Sequence, residues 1–293
     1  MEADANGEPA VRGELLLVDP DTATLAAARG AGFAVTGSET LGSLGMSVTR
    51  LQVPRGMPLA EAQRALLRAA PNAENAPDNL HFQSGAVGLD ATAQAPAGAR
   101  AIAIPVGVID GAPGKAEAIA ATRGFAKGAP LASNHGSAVV SLLQGAGVRR
   151  VLAADVYGND PAGGNALAIV RALDWLTGSG ARVISISLVG PRNAMLEKAI
   201  GAVRRKGVVI VAAVERALPP QLSAPRERSA AAFAPRDQRQ IGRPIGVRSL
   251  LPIAAGTFAL PIEQSRRSPS CWTRSFHEAP PRLSTFRKSP SPS

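Results

Sequence analysis

The chain has 293 residues, of which 45% are hydrophobic and 18% are charged, which is typical of a globular protein with a substantial core. No apolar run reaches the roughly 18 residues that a membrane-spanning helix needs, and the single cysteine, Cys271, excludes an internal disulfide. Residues 1–214 carry 19 Lys and Arg against 17 Asp and Glu, so the net charge of +10 comes mainly from residues 215–293.

The N-terminal part of the chain predicts a small α+β unit. Residues 1–12 show no periodicity and are predicted to be disordered, whereas residues 13–83 have the order β-α-β-β-α-β, which is typical of ferredoxin-like modules. The predicted elements are strands at 14–19, 33–36, 46–53 and 79–83, a helix at 23–29 capped by Thr22, and a helix opened by Pro58 with Leu59, Ala62, Leu66 and Leu67 on one face. Residues 84–99 are rich in Gly, Ala, Gln and Pro and are predicted to be a linker.

Residues 100–214 alternate apolar strands with helices, which indicates an α/β fold with a parallel sheet covered by helices on both faces. The predicted strands are 103–110, 151–157, 183–188 and 208–214, and the predicted helices are 136–143, 166–177 and 194–206.

Residues 215–293 show no such pattern. They hold 12 of the 24 prolines, and 12 of their 13 cations are Arg, so we predict a largely disordered Arg-, Pro- and Ser-rich tail. The few aromatic residues of this tail are not interleaved with Arg in any repeat, and nucleic-acid binding is therefore the weakest of the functional hypotheses.

Two residues, Asp110 and His135, lie where this fold could bring them together. Asp110 ends a predicted strand at the carboxyl edge of the parallel sheet, where open α/β sheets place their sites. Taken alone, each residue is more simply explained as a turn aspartate or a histidine at a helix start. As a pair, the carboxylate can accept the imidazole Nδ1–H, which leaves the other ring nitrogen free to take a proton from a serine.

Four segments, in order along the chain, resemble motifs of the subtilisin-like serine proteases. Val108–Asp110 is similar to the Asp motif of that family, and His135–Val140 is similar to its His-Gly-Thr motif, with Ser137 in place of Thr. Ile184–Pro191 is similar to the Ser-Leu-Gly-Gly substrate strand, and Gly207–Ala213 to the strand before the oxyanion asparagine. The resemblance covers about residues 13–214 and implies an incomplete catalytic domain preceded by an inhibitory propeptide.

The resemblance also implies roles for individual residues. His135 would be the general base and Asp110 would orient it. A strand formed by Ser187, Leu188, Val189 and Gly190 would pair with an extended peptide or protein substrate, although an ordinary core strand would explain the same residues. Residues 79–84 would thread through the cleft as a product-like inhibitor, with a plain ferredoxin-like module as the alternative. No cofactor or metal site is implied, since no acidic cluster has calcium-ligand spacing.

The chain departs from the family at two motifs. Glu215 and Arg216 stand where the oxyanion asparagine is expected, and Gly256–Ala259 reads Gly-Thr-Phe-Ala without a nucleophilic serine. A frameshift after Val214 would explain both departures. Proteases of this family are usually exported, whereas residues 1–8 lack the features of a secretory signal, so the localisation stays open. The sequence favours a serine endopeptidase that is impaired in this chain. The alternatives are a non-catalytic peptide-binding pseudoprotease or a truncated product, and then nucleic-acid binding through the basic tail.

Overall fold

A computed structural model describes residues 1–84, 100–116 and 118–213, which all belong to one compact unit. The predicted tail and all of the predicted linker except Ser84 lie outside the described residues. Within the described part of the chain, no helix combines the length and apolar character needed to cross a membrane.

The N-terminal residues form an antiparallel sheet with two helices on one side. Its elements are β1 Glu2–Ala3, β2 Pro9–Val18, α1 Thr22–Gly30, β3 Ala34–Leu41, β4 Met46–Gln52, α2 Leu59–Ala69 and β5 Glu74–Asn79. The elements from β2 to β5 follow the order β-α-β-β-α-β, and the strands lie side by side in the order β5-β2-β4-β3. This unit therefore has the α+β architecture that the sequence predicts.

The remaining elements form the parallel sheet and its helices, together with a small two-stranded sheet. They are β6 Phe82–Gln83, β7 Val106–Asp110, β8 Ile119–Gly124, α3 Asn134–Gly145, β9 Val151–Asp155, α4 Ala166–Gly178, β10 Val183–Ile186, β11 Leu188–Val189, α5 Ala194–Arg205 and β12 Val209–Ala212. The parallel sheet has the strand order β12-β10-β7-β9-β8, and β11 pairs with β6 in the two-stranded sheet. Strand β8 was not predicted, because it lies at the sheet edge and its sequence has no continuous apolar run.

Helices cover both faces of the parallel sheet, which confirms the predicted fold class. Val108 of β7 packs with Val140 of α3 on one face, and Ile109 lies in the core formed with α4 and α5 on the other face. Gly107 allows α4 to approach closely, since a Cβ there would lie 2.9 Å from Leu176 Cδ1.

The second half of β2 is continuously apolar because both faces of the N-terminal sheet are buried. Leu15 and Leu17 pack against α1 and α2, whereas Leu16 and Val18 belong to the core that contains α4 and α5. Successive side chains of a strand point to opposite faces. The N-terminal unit is thus packed through its sheet against the helices of the α/β part.

Residues 1–12 are not disordered, contrary to the prediction. Asp4 is only 5% exposed, and its carboxylate accepts hydrogen bonds from the backbone of Asn6 at 2.8 Å and from Asn79 Nδ2 at 3.0 Å. Glu2 accepts a hydrogen bond from the backbone N–H of Leu59 at 2.9 Å. Hydrogen bonds to Glu2 and Asp4 therefore fix a segment whose lack of periodicity suggested disorder.

Some predicted details of the N-terminal helices and strands are also wrong. Helix α1 is capped by Asp21 rather than Thr22, since the Asp21 side chain accepts from the backbone of Thr24 at 2.7 Å. Leu67 is 47% exposed and does not share the buried face of α2. The strand predicted at 79–83 is two strands, because β5 ends at Asn79 and β6 begins at Phe82 in another sheet.

Candidate functional site

Asp110 is the last residue of β7, the central strand of the parallel sheet, and its side chain is fully buried. Its Oδ1 atom accepts a hydrogen bond from the backbone N–H of Gly111 at 2.7 Å. Burial raises the pKa of Asp110, and the Gly111 amide and His135 oppose that rise. The carboxylate thus depends on nearby donors to remain ionised in a position without solvent.

His135 is the second residue of α3, and its Nδ1 atom lies 2.7 Å from Asp110 Oδ2. Ser133 caps this helix by accepting from the backbone N–H of Gly136 at 2.9 Å. A Cβ atom at Gly136 would collide with the carbonyl oxygen of Gly111. The absence of a side chain at this glycine therefore lets the start of α3 approach the end of β7 and places the imidazole on the carboxylate.

Ser137 holds the loop that follows Asp110. Its hydroxyl donates to the carbonyl of Ser133 at 2.7 Å and accepts from the backbone N–H of Gly114 at 2.9 Å. The threonine expected from the family motif carries the same hydroxyl, so the replacement retains the group that makes both contacts.

The four residues predicted to bind substrate lie beside an extended segment of the N-terminal part. Leu188 and Val189 of β11 pair antiparallel with Gln83 and Phe82 of β6. The backbone N–H of Ser84 continues this ladder by donating to the carbonyl of Ser187 at 2.9 Å.

Gly190, the fourth of these residues, faces His81. A Cβ atom at Gly190 would collide with the imidazole ring of His81, so only glycine permits this packing. The sequence-predicted strand residues therefore all contact residues 81–84, which we call the cleft segment.

The cleft segment reaches the paired Asp110 and His135. His135 Nε2 lies 2.7 Å from the backbone carbonyl oxygen of Ser84. A carbonyl oxygen only accepts hydrogen bonds, so in this arrangement Nε2 donates and is not free to take a proton from another group.

Sequence reasoning did not single out Gln83, which also contacts the pair. Its side-chain amide Nε2 donates to Asp110 Oδ1 at 3.0 Å. Nothing in the sequence around a polar residue of a two-residue strand indicates this contact. It depends on the register between β6 and β11.

His81 and Tyr157 were also missed. The His81 side chain is buried and its Nδ1 atom has no hydrogen-bond partner among the described residues, and burial lowers the pKa of the imidazole. The His81 backbone donates to the carbonyl of Gly164 at 2.8 Å and accepts from the Tyr157 hydroxyl at 2.9 Å. Burial raises the pKa of Tyr157, which keeps that hydroxyl protonated as a donor.

The described residues contain no cluster of three or more His, Cys, Asp or Glu side chains that could hold a metal ion. The segments in which the sequence departs from the oxyanion and nucleophile motifs, around Glu215 and Gly256–Ala259, lie outside the described residues.

No protein-family model and no curated protein sequence matches the chain. Among solved structures, it is similar to fervidolysin from Fervidobacterium pennivorans, a keratinolytic enzyme related to subtilisin, with 13% identity and a TM-score of 0.49 over 69% of this chain and 40% of that chain. It is also similar to the prenylagaramide maturation protease PagA, with 24% identity and a TM-score of 0.31 over 37% of this chain and 44% of that chain. The epidermin leader peptide processing serine protease from Staphylococcus aureus has 12% identity and a TM-score of 0.44 over 70% of this chain and 60% of that chain. The chain thus spans about 40% to 60% of the length of these structures.

Proposed function

We propose that residues 100–213 form the peptide-binding part of a subtilisin-like serine endopeptidase, with the cleft segment bound as a peptide would be. The supporting observation is the pair of contacts at His135, whose Nδ1 lies 2.7 Å from Asp110 and whose Nε2 lies 2.7 Å from the carbonyl oxygen of Ser84. Acyl transfer requires a base that is oriented by a buried carboxylate, and the carbonyl of Ser84 shows that a peptide can lie within reach of that base.

Substrate binding in this proposal is strand addition. An extended peptide would take the place of the cleft segment and pair with Ser187, Leu188 and Val189, as Ser84, Gln83 and Phe82 do. Backbone hydrogen bonds of this kind give affinity without strict sequence requirements, and side-chain contacts then set the preference.

The N-terminal unit would act as an intramolecular inhibitor. It is anchored immediately before the cleft segment, because Asp78 accepts from the backbone of Leu167 at 2.9 Å and Asn193 donates to Asn79 at 3.0 Å. With the unit bound, His135 Nε2 is hydrogen-bonded to the Ser84 carbonyl. The peptide bond after Ser84 is then the one presented for cleavage, which would separate the unit from the α/β part.

The proposed chemistry assigns His135 two proton transfers. It would accept the hydroxyl proton of the nucleophile and return that proton to the leaving amine, while Asp110 stabilises the charged ring. A second candidate is a non-catalytic peptide-binding protein, which is favoured by the absence of the Gly-Thr-Ser motif from the sequence.

A fluorophosphonate probe applied to the full chain, followed by mass spectrometry, distinguishes the two candidates. Covalent labelling that disappears in the His135→Ala variant supports the endopeptidase. Peptide binding is measured in parallel on the Ser84→Pro variant. This variant lacks the N–H that donates to Ser187, which weakens the pairing of the cleft segment with β11 and lets an added peptide compete for that position. Peptide binding without labelling supports the non-catalytic protein, and the absence of both contradicts both candidates.

A further inference from the structure

We infer that the cleft selects peptides with Gln at the position immediately before the residue whose carbonyl faces His135, with Gln83 as the internal example of that preference. The inference rests on the proposed function, because it concerns which peptide the same cleft binds.

The register of the cleft segment fixes which side chain meets Asp110. Ser84 is held at both backbone ends, since its N–H donates to Ser187 at 2.9 Å and its carbonyl lies 2.7 Å from His135 Nε2. Gln83 is paired with Leu188 in this register, and its amide Nε2 reaches Asp110 Oδ1 at 3.0 Å. A peptide bound with the same backbone contacts would present its equivalent side chain to the same oxygen.

Asp110 provides the reason for a preference. Its side chain is fully buried, and among the described residues Oδ1 has one other donor, the backbone N–H of Gly111. A buried carboxylate that lacks donors loses the hydrogen bonds that water would otherwise supply. The Gln83 amide therefore fills a position at Asp110 that a peptide without a donor would leave empty.

The same geometry disfavours the residues most similar to Gln. Glu has the same shape but would bring a second carboxylate against Asp110, and Met has a similar length but no donor. Asn is one methylene shorter and would not reach Oδ1 from the same backbone position. A Lys ammonium would place a positive charge beside the ring that must become positively charged when His135 accepts a proton in the proposed mechanism.

The contact has a further effect on the proposed mechanism. The hydrogen bond from Gln83 lowers the pKa of Asp110, against the rise that burial causes. A bound peptide with Gln at this position would therefore help to keep ionised the carboxylate that orients His135. Gln83 and its substrate equivalent are in this sense positioning groups.

Four amidated hexapeptides test the inference on the full-length Ser84→Pro variant. The parent peptide is Asn-Leu-His-Phe-Gln-Ser, the sequence of residues 79–84, and the others carry Met, Asn or Glu in place of Gln. Each competes with a fluorescein-labelled parent in an anisotropy assay. We expect Met and Asn to weaken binding about ten-fold, the usual effect of losing a hydrogen bond to a charged group, and Glu to weaken it further.

Equal affinity of all four peptides would overturn the inference and leave the proposed peptide cleft intact. If the parent peptide itself does not bind to a folded variant, the proposed function fails as well.

A second measurement does not depend on that variant. Hydrogen exchange at the backbone N–H of Val189, which faces Phe82 in the ladder, should become faster in Gln83→Met and faster still in Gln83→Glu in the otherwise unaltered chain. Gln144→Met, at the far end of α3, is the matched control and should leave the exchange unchanged. Identical exchange in Gln83→Met, Gln83→Glu and the control would contradict the role of the Gln83 amide.

Discussion

The carboxylate of Asp78 in β5 accepts a hydrogen bond from the backbone N–H of Leu167 in the first turn of α4, at 2.9 Å. Asn165 caps the same helix by accepting from Ala168 at 2.8 Å. Helix N-termini leave backbone N–H groups without partners inside the helix. A residue of the N-terminal unit therefore satisfies a donor of the α/β part, at a position where Asp78 is only 1% exposed.

This contact predicts a specific pH dependence of stability. Burial raises the pKa of Asp78 to about 7, from an ordinary value of 3.8. Between pH 3.8 and about 7 the folded protein therefore keeps a proton on Asp78 that the unfolded chain has lost. The contribution of Asp78 to the free energy of unfolding is fully present below pH 3.8 and is lost as the pH rises through about 7. The loss is on the order of 4 kcal/mol, since each pKa unit corresponds to about 1.4 kcal/mol.

Chemical denaturation of the wild type and of Asp78→Asn between pH 4 and pH 8.5 measures this dependence. Asn keeps an acceptor oxygen for Leu167 but does not titrate in this range. We expect the difference in unfolding free energy between the two proteins to change with pH in favour of the variant as the pH rises. Parallel curves over the whole range would show that Asp78 is not the titrating group.

Asn193 predicts a second effect at the same interface. Its side chain is 2% exposed, donates to the carbonyl of Pro77 at 2.8 Å and to Asn79 at 3.0 Å, and accepts from the backbone of Leu196 at 3.1 Å. Asn193→Ala leaves these buried groups without partners, and we expect a loss of about 3 kcal/mol in denaturation experiments. Asn6→Ala, at an exposed turn residue, is the control and should change stability by less than about 0.5 kcal/mol. A similarly small change in both variants would mean that the hydrogen bonds of Asn193 contribute little to stability.

The sequence predicts the sheets well and the contacts between them poorly. Periodicity and composition locate all five helices of the described residues and most of the long strands, because burial on one or both faces determines those patterns. They miss β1, β5 and β8, which have no long apolar run. The hydrogen bonds of Asp78, Asn79 and Asn193 join residues more than 80 positions apart in sequence. Such polar side chains look like ordinary surface or turn residues until the tertiary packing is known.

The candidate site likewise contains residues whose proximity the sequence predicts and residues whose contacts it does not. Asp110 ends a predicted strand of the parallel sheet and His135 directly precedes a predicted helix, so their proximity is expected from topology. Gln83 and His81 contact the site only because β6 pairs with β11 in one register. A short strand with two residues carries too little periodicity to predict its partner or its register.

Two helical glycines predict opposite effects of substitution by Ala. In α3, a Cβ at Gly136 would collide with the carbonyl oxygen of Gly111, which would push the helix start away from β7 and His135 away from Asp110. In α5, a Cβ at Gly201 would meet the flexible end of Arg205 at 3.4 Å and, apart from its chain neighbours and the backbone of α5, no other atom of the described residues within 4 Å. We expect Gly136→Ala to destabilise the protein by about 2 kcal/mol or more and Gly201→Ala to stabilise it by about 0.5 to 1 kcal/mol.

Thermal unfolding and the NMR signal of the His135 Nδ1 proton check this pair of predictions. That signal should shift or vanish in Gly136→Ala, because the hydrogen bond to Asp110 is stretched, and should remain in Gly201→Ala. A stable Gly136→Ala variant with an unchanged imidazole signal would show that the close approach of α3 to β7 is not required.

The burial of His81 predicts that a peptide with histidine at the equivalent position binds less tightly at acidic pH. The imidazole is 5% exposed beside Gly190, and its Nδ1 atom has no hydrogen-bond partner in the part of the chain that the structure describes. Burial lowers its pKa below the ordinary value of 6.5. Binding must therefore remove a proton that the free peptide holds below pH 6.5. The affinity of the parent hexapeptide for the Ser84→Pro variant should fall by up to about ten-fold between pH 7.5 and pH 5.5.

A matched peptide with Phe in place of His81 controls for every other titrating group, including Asp110, so the contrast between the two peptides isolates the imidazole. If both peptides lose affinity equally, His81 binds without giving up its proton and the burial of a neutral ring does not govern the pH dependence.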